Sequence, residues 1–298
     1  MKKGALKDII TIVVKLTVTC LVAGIIMGAA FLLTHEAKEH NEQVRDERVM
    51  LSILGYDKKH PAPKTLSLNT IYRYIVTRGE TQSIGYVLSS ESGTQFVELD
   101  LDGKFLKAYP IAQEIDKLRK EGDRTGAVQA LISDGEVRYA DNFIIAVNNG
   151  ERVAYILDGR YPGFKASIHV KMALGADYSM LGFEVLEHEE DPGLGAEIKQ
   201  EWFRGQFEGK SFEQLKTTGV VRSPMPDDFR SAITGKIKGE DADKIRKEHS
   251  GDDIYALTGA TISSRSVLNG NKAMVTKFVY RIEILDKVLQ QQGIKTPF

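Results

Sequence analysis

The sequence Thr258-Gly-Ala-Thr-Ile-Ser-Ser264 stands directly before a long run of helical periodicity. The small polar residues therefore occupy a predicted helix start. A helix start carries unpaired N–H groups and the positive end of the helix dipole, so it can seat a phosphate. An ordinary N-cap made of Ser and Thr is the alternative interpretation. The apolar residues that predict the helix recur at helical spacing: Val267, Leu268, Met274, Val275, Phe278, Ile282, Leu285 and Leu289.

Gly259 and Ala260 carry little bulk and let a ligand approach the backbone, while Thr261 places a hydroxyl at the centre of this seat. The heptapeptide resembles the flavinylation motif (S/T)-G-A-T-(I/L)-(T/S)-S of the FMN-binding domain family. In that family the last Thr of the tetrapeptide carries FMN through a phosphoester bond. The resemblance thus implies covalent FMN on Thr261, with Thr258, Gly259 and Ala260 completing the cofactor-binding tetrapeptide.

This chain departs from the family pattern at one position near the motif. The family usually has Asp three residues before the first Ser or Thr, and this chain has Tyr255 there. The resemblance implies maturation by a flavin transferase, which could modify this chain less efficiently if it reads that Asp. A structural role for the tyrosine, packed beside the helix start, is the other interpretation.

A second segment carries the same resemblance independently. The sequence LEHEEDPGLG at residues 186–195 is similar to the family's V-L-x-H-x-E-T-P-G-L-G segment, with Asp191 in place of the usual Thr. The Pro192-Gly193 pair predicts a turn, so this is a shaped loop between a strand and a helix. The resemblance assigns Glu190, Gly193 and Leu194 to the flavin pocket.

The acidic loop also has the composition of a metal cluster. His188, Glu190 and Asp191 all carry ligand atoms, but the sequence offers no second cluster to complete a coordination shell. We therefore predict no metal here, and expect the loop to shape the flavin pocket or to cap the following helix.

An apolar stretch near the N-terminus predicts a membrane anchor. Residues 16–33 read LTVTCLVAGIIMGAAFLL and carry no charge, close to the roughly 20 residues that span a bilayer. The competing interpretation, a cleaved signal peptide, lacks a clear A-x-A site. The positive-inside rule places the N-terminus in the cytoplasm and everything after Thr34 across the membrane. The charges that set this orientation are Lys2, Lys3 and Lys7 before the stretch, and Glu36, Lys38 and Glu39 after it.

The rest of the chain predicts an α+β protein: a single N-terminal transmembrane helix, then a soluble domain with a largely antiparallel sheet and flanking helices. Three successive hairpins support the sheet, with turns at Leu101–Lys104, Asn148–Gly150 and Gly175–Asp177. We predict an anchor at 1–34, a membrane-proximal helix and first part of the body at 35–159, and an FMN-binding domain at 160–298.

Composition excludes several classes of function. A net charge of −1, with the basic residues interspersed among acids, argues against a nucleic-acid partner. The single cysteine, Cys20, cannot form an intrachain disulfide. No signature of a nucleophilic or kinase-type site is apparent, so no catalytic residue is predicted, which suits a flavin that performs its own redox chemistry.

The resemblance also implies a setting. The family includes the G subunit of the Rnf complex and the C subunit of the Na+-translocating NADH:quinone oxidoreductase. It implies an inner-membrane flavoprotein subunit that carries electrons within an ion-translocating ferredoxin:NAD oxidoreductase, beside other membrane subunits and membrane lipid. The quinone-reductase subunit is the nearer alternative, and a membrane-anchored sensory or binding module without flavin is the more distant one.

Overall fold

The computed structural model describes residues 3–298, and the side chains of residues 3–9, 32, 35, 36, 39 and 40 lie outside that description. Lys2 and the side chains of Lys3, Lys7, Glu36 and Glu39 are thus outside the described part of the chain. Two compact units are present, one at Met1–Val49 and the other at Met50–Phe298.

Helix α1 runs from Lys3 to Ile53. Its window Ile10–Phe31 has 22 residues with a mean hydropathy of 2.3, and none of that window is buried against protein. At 1.5 Å per residue this window is about 33 Å long, enough to cross the hydrocarbon core. The predicted anchor and the predicted membrane-proximal helix are parts of this one continuous helix.

The body is organised around an antiparallel sheet of eight strands in the order β4-β3-β2-β1-β5-β6-β7-β8. This confirms the predicted α+β body with a largely antiparallel sheet. The strands are β1 (Leu66–Arg78), β2 (Thr81–Ser90), β3 (Gly93–Asp100), β4 (Phe105–Ile111), β5 (Glu136–Asn148), β6 (Glu151–Pro162), β7 (Ser167–Gly175) and β8 (Met180–Glu187). A short parallel pair, β9 (Val220–Val221) and β10 (Ile254–Tyr255), lies outside the sheet.

The predicted hairpin turns fall where the chain reverses. At the β5–β6 turn, Asn149 has φ 53° and Gly150 has φ 83°. Asn and Gly tolerate this left-handed conformation, which matches the twist of the two strands. The local sequence therefore accounts for the reversal.

The remaining helices are short except for the last. They are α2 (Glu121–Leu131), α3 (Glu201–Arg204), α4 (Phe212–Thr217), α5 (Asp227–Ile233), α6 (Glu240–Glu248) and α7 (Thr261–Gln291). Single turns of 3-10 helix occupy Ile115–Leu118, Gly195–Lys199 and Gly205–Phe207.

Helix α7 packs its apolar stripe on one face of the sheet, where Val267, Val275, Ile282 and Leu285 are fully buried. Ion pairs reinforce this packing: Arg152 of β6 donates two hydrogen bonds to Asp286, of 2.6 and 2.8 Å. The opposite face carries a second core, covered by α2.

Two glycines fix how closely α7 approaches β6. A β-carbon at Gly270 of α7 would lie 2.3 Å from the ring of Tyr161, and one at Gly159 of β6 would lie 2.6 Å from the Met274 methyl carbon. Each element thus receives a side chain of the other where it has none of its own.

The predicted division of the body at residue 159 stays a prediction. Strand β6 passes through it from Glu151 to Pro162, as part of the same sheet.

Candidate functional site

Helix α7 begins at Thr261, where the sequence predicts a helix start. Thr258 and Gly259 are exposed, Ala260 is buried and Thr261 is half-buried. Gly259 has φ 76°, a left-handed conformation that glycine adopts freely. The Ala260 N–H donates to the Leu257 carbonyl at 3.0 Å, closing a turn just before the helix.

The start of α7 has no side-chain cap. Ala260 occupies the N-cap position and supplies no hydrogen bond to the first turn. The ordinary Ser or Thr cap, the alternative interpretation of this sequence, is therefore not formed. Among the residues that the structure describes, no hydrogen bond of the Thr261 hydroxyl is present. Uncapped N–H groups beside a half-buried hydroxyl suit a phosphate esterified at that position.

The two serines that end the motif are buried and have structural partners. The Ser264 hydroxyl accepts the Leu257 N–H at 3.0 Å and donates to the Ala260 carbonyl at 3.1 Å. The Ser263 hydroxyl donates to a carboxylate oxygen of Glu190. These serines shape the turn and leave Thr261 as the half-buried hydroxyl of α7's first residue.

The structure brings the acidic loop against this helix start. Leu194 lies over Gly259, since a β-carbon at residue 259 would be 2.9 Å from Leu194 Cδ2. Gly193 is exposed with φ 73°, as the predicted turn requires. The sequence-predicted site residues of both motifs thus meet in one place.

Glu190 is buried, with 4% of its surface exposed. One carboxylate oxygen accepts the backbone N–H groups of Phe164 at 2.7 Å and Lys165 at 3.3 Å, and the other accepts the Ser263 hydroxyl. Sequence reasoning missed the β6–β7 turn at residues 163–166. Its signal was Pro162-Gly163, a turn dipeptide between two apolar runs.

His188 and Asp191 have partners of their own. His188 Nδ1 accepts the Glu190 N–H at 3.2 Å, so the imidazole is neutral with its proton on Nε2. Burial, followed by the nearby Lys199 charge, lowers the pKa of His188. Asp191 forms an ion pair with Lys165. His188 therefore stabilises the acidic loop itself, whereas Asp191 ties the loop to the β6–β7 turn.

Tyr255 is half-buried and held on three sides. Its hydroxyl donates to Asp252 at 2.8 Å, and its backbone N–H donates to the Gln206 side chain at 2.7 Å. Its ring packs edge-on against Phe229 at 6.5 Å. Burial and the Asp252 carboxylate raise the pKa of Tyr255 to about 12, so the phenol stays protonated.

Three exposed apolar side chains accompany this arrangement. Phe164, Leu194 and Ile262 are 56%, 45% and 57% exposed. Each belongs to one of the segments already described: the β6–β7 turn, the acidic loop and the first turn of α7. Together they form apolar surface beside the helix start, where a planar ligand can pack.

Comparison with known proteins identifies a family for the part of the chain that contains this site. The family model for the FMN-binding domain matches residues 163–276, which include both loops and the start of α7. The match defines an FMN-binding domain at residues 163–276.

Two relatives extend the similarity. The G subunit of an ion-translocating oxidoreductase complex from Cereibacter sphaeroides is 33% identical over 181 residues, covering 59% of this chain and 69% of the relative. The G subunit of the proton-translocating ferredoxin:NAD(+) oxidoreductase complex of Clostridium ljungdahlii is 23% identical over 171 residues, 56% of this chain and 78% of the relative. The chain belongs to the FMN-binding domain family, and both of these relatives are G subunits of ion-translocating oxidoreductase complexes.

A solved structure, the C subunit of Na(+)-translocating NADH-quinone reductase from Parabacteroides distasonis, matches with a TM-score of 0.35 and 18% identity. The match covers 62% of this chain and 75% of the chain in the solved structure.

Proposed function

We propose that this chain is the membrane-anchored flavoprotein subunit that carries electrons within an Rnf-type ion-translocating ferredoxin:NAD oxidoreductase. The observation that carries the proposal is the Thr258–Thr261 tetrapeptide at the uncapped start of α7. This tetrapeptide lies within residues 163–276, which match the FMN-binding domain family. Both relatives bear the names of G subunits of ion-translocating oxidoreductase complexes. The chain is an electron carrier in a complex and not an enzyme in isolation.

The cofactor is FMN, attached through its phosphate to the Thr261 hydroxyl. The half-buried hydroxyl and the uncapped first turn of α7 support this attachment, because the helix start stabilises the negative charge of a phosphodiester. When bound, the isoalloxazine ring supplies the redox chemistry, accepting and releasing electrons.

The protein's own residues supply position and environment. Gly259 keeps the backbone free of a side chain where Leu194 approaches, and Thr258 and Ala260 flank it in the same turn. Gly193 permits the turn that presents Leu194 to the exposed side of the site. Glu190 holds the first turn of α7 by accepting a hydrogen bond from the Ser263 hydroxyl.

The anchor and its orientation complete the proposal. The apolar window Ile10–Phe31 anchors the chain in lipid. The N-terminus lies in the cytoplasm and the flavin-bearing body on the other side of the membrane, beside the other subunits of the complex. A flavin transferase attaches the FMN, and the covalent bond prevents its loss where no cytoplasmic flavin pool can replace it.

The test is complementation of a strain that lacks this chain, with reduction of NAD by reduced ferredoxin measured in membrane vesicles. Wild type should restore the activity, Thr261→Ala should restore less than a hundredth of it, and Thr276→Ala should match wild type. Thr276 is the control because it is an exposed threonine on the same helix.

Two outcomes would contradict the proposal. Restoration of NADH:quinone reduction in place of the ferredoxin-dependent activity would assign the chain to the quinone-reductase complex. Full activity of Thr261→Ala would favour a binding or sensory module of the same fold, in which the tetrapeptide carries no flavin.

A further inference from the structure

We propose that Glu190 is a positioning residue, which holds the first turn of α7, and with it Thr261, against the β6–β7 turn. The inference rests on the proposed attachment of FMN to Thr261. It goes beyond it by assigning the buried carboxylate a role that acts through Ser263 rather than on the flavin.

The hydrogen bonds of Glu190 join two segments that are distant in sequence. Its carboxylate accepts the N–H groups of Phe164 and Lys165 on one side and the Ser263 hydroxyl on the other. A buried carboxylate with three donors therefore fixes both segments to the acidic loop.

Two glycines leave the space that this carboxylate occupies. A β-carbon at Gly163 would lie 2.4 Å from Glu190 Oε1. A β-carbon at Gly195 would lie 2.6 Å from Glu190 Oε2 and 2.6 Å from the Ser263 hydroxyl. The surrounding backbone is thus in direct contact with both carboxylate oxygens, and the Glu190–Ser263 hydrogen bond is enclosed.

The position of Ser263 explains why this bond matters. Ser263 and Thr261 belong to the same turn of α7, which has no side-chain cap. An uncapped first turn frays unless something outside the helix holds it. The Glu190–Ser263 bond supplies that constraint from inside the protein, and so leaves the N–H groups at the helix start free for a phosphate.

Hydrogen–deuterium exchange on the purified full chain, before any flavin is attached, tests the constraint. Glu190→Ala should speed exchange at least tenfold in residues 257–264 and 162–167, while Ser263→Ala should do so in 257–264 alone. Glu190→Gln should stay near wild type, because its amide oxygen can accept from the turn and its NH2 can donate to Ser263. Glu189→Ala is the matched control, since Glu189 is the adjacent, exposed glutamate.

The initial rate of FMN transfer to these variants by a limiting amount of flavin transferase links the constraint to the acceptor. Glu190→Ala should be modified at least tenfold more slowly than Glu189→Ala, and Glu190→Gln should recover most of the rate. Recovery by the amide distinguishes positioning of Thr261 from an effect of the negative charge.

The proposal is overturned if Glu190→Ala exchanges like Glu189→Ala, if its exchange rises equally throughout the sheet, or if Glu190→Gln is as slow as Glu190→Ala. Should Glu190→Ala not fold, Ser263→Ala against Glu189→Ala decides the same question. A wild type that accepts no FMN would defeat the proposed function, while the exchange data would still decide the role of Glu190.

Discussion

Leu194 covers the backbone of Gly259, so closely that a β-carbon at residue 259 would lie 2.9 Å from Leu194 Cδ2. This contact joins two motifs that are 65 positions apart in the chain. We expect Gly259→Ala to disturb it twice over, by crowding Leu194 and by placing alanine at φ 76°. The left-handed conformation alone costs about 1–2 kcal/mol. Melting temperature and flavin content should both fall, whereas Gly251→Ala, with open space at its β-carbon, should leave both unchanged.

Thr261→Ala should abolish covalent flavin without harming the fold, because no hydrogen bond of the Thr261 hydroxyl is present among the described residues. Denatured wild type, coexpressed with a flavin transferase, should fluoresce on a gel under ultraviolet light, and Thr261→Ala should be dark. Thr276→Ala should remain fluorescent. A fluorescent Thr261→Ala band would refute the attachment site.

Tyr255 should prove structural. Tyr255→Phe removes the hydrogen bond to Asp252 and should lower the free energy of unfolding by about 1 kcal/mol. Tyr255→Asp loses apolar packing and adds a charge beside Asp252, so the loss should be a few kcal/mol. Flavin content at limiting transferase should not rise in either variant. A higher flavin content in Tyr255→Asp, at unchanged stability, would instead support recognition of an acid at this position.

Acid should weaken the contact between His188 and the Glu190 N–H. Burial lowers the pKa of His188 below 6.5, its ordinary value, so the unfolded chain binds this proton more readily than the folded one. The stability that neutral His188 contributes is fully present above about pH 6.5. It is lost as the pH falls from there toward the lowered pKa of His188 in the folded protein. Urea unfolding at pH 7.5 and 5.5 should therefore show a larger acid-induced loss for wild type than for His188→Asn. Equal acid-induced losses of stability in the two proteins would show that His188 does not contribute to the pH dependence.

The orientation of the anchor can be tested at the other end of the chain. Alkaline phosphatase joined after Phe298 through a flexible linker should be active, because the enzyme folds only outside the cytoplasm. A fluorescent protein that matures only in the cytoplasm, joined at the same place, should be dark. The opposite pair of results would reverse the proposed topology.

Features of the fold that depend on neighbouring residues were predictable from the sequence. The start of α7, the hairpin turns and the apolar span depend on residues within a few positions of one another, and all of them appear as expected. Gly and Asn at the turns, and the three-to-four spacing of α7, are sufficient signals.

The contacts that build the site were not predictable in this way. Glu190 accepts a hydrogen bond from Ser263, which lies 73 positions later in the chain, and neither residue type predicts the other as its partner. Helix α5 was not predicted from the sequence, and its residues Phe229, Ala232 and Ile233 are buried. Its seven residues are too few to show a clear period, so its burial depends on tertiary packing.

The reciprocal fit between α7 and β6 constrains how the sequence can evolve. Tyr161 needs a glycine at 270, and Met274 needs one at 159, so an added methyl group on either backbone requires a smaller partner across the interface. The four positions are therefore expected to covary among relatives, whichever ion each complex transports. Sliding α7 by a single residue would undo both fits and shift its first residue by about 1.5 Å. The axial position of Thr261, the proposed attachment site, is thus inherited with these four residues of α7 and β6.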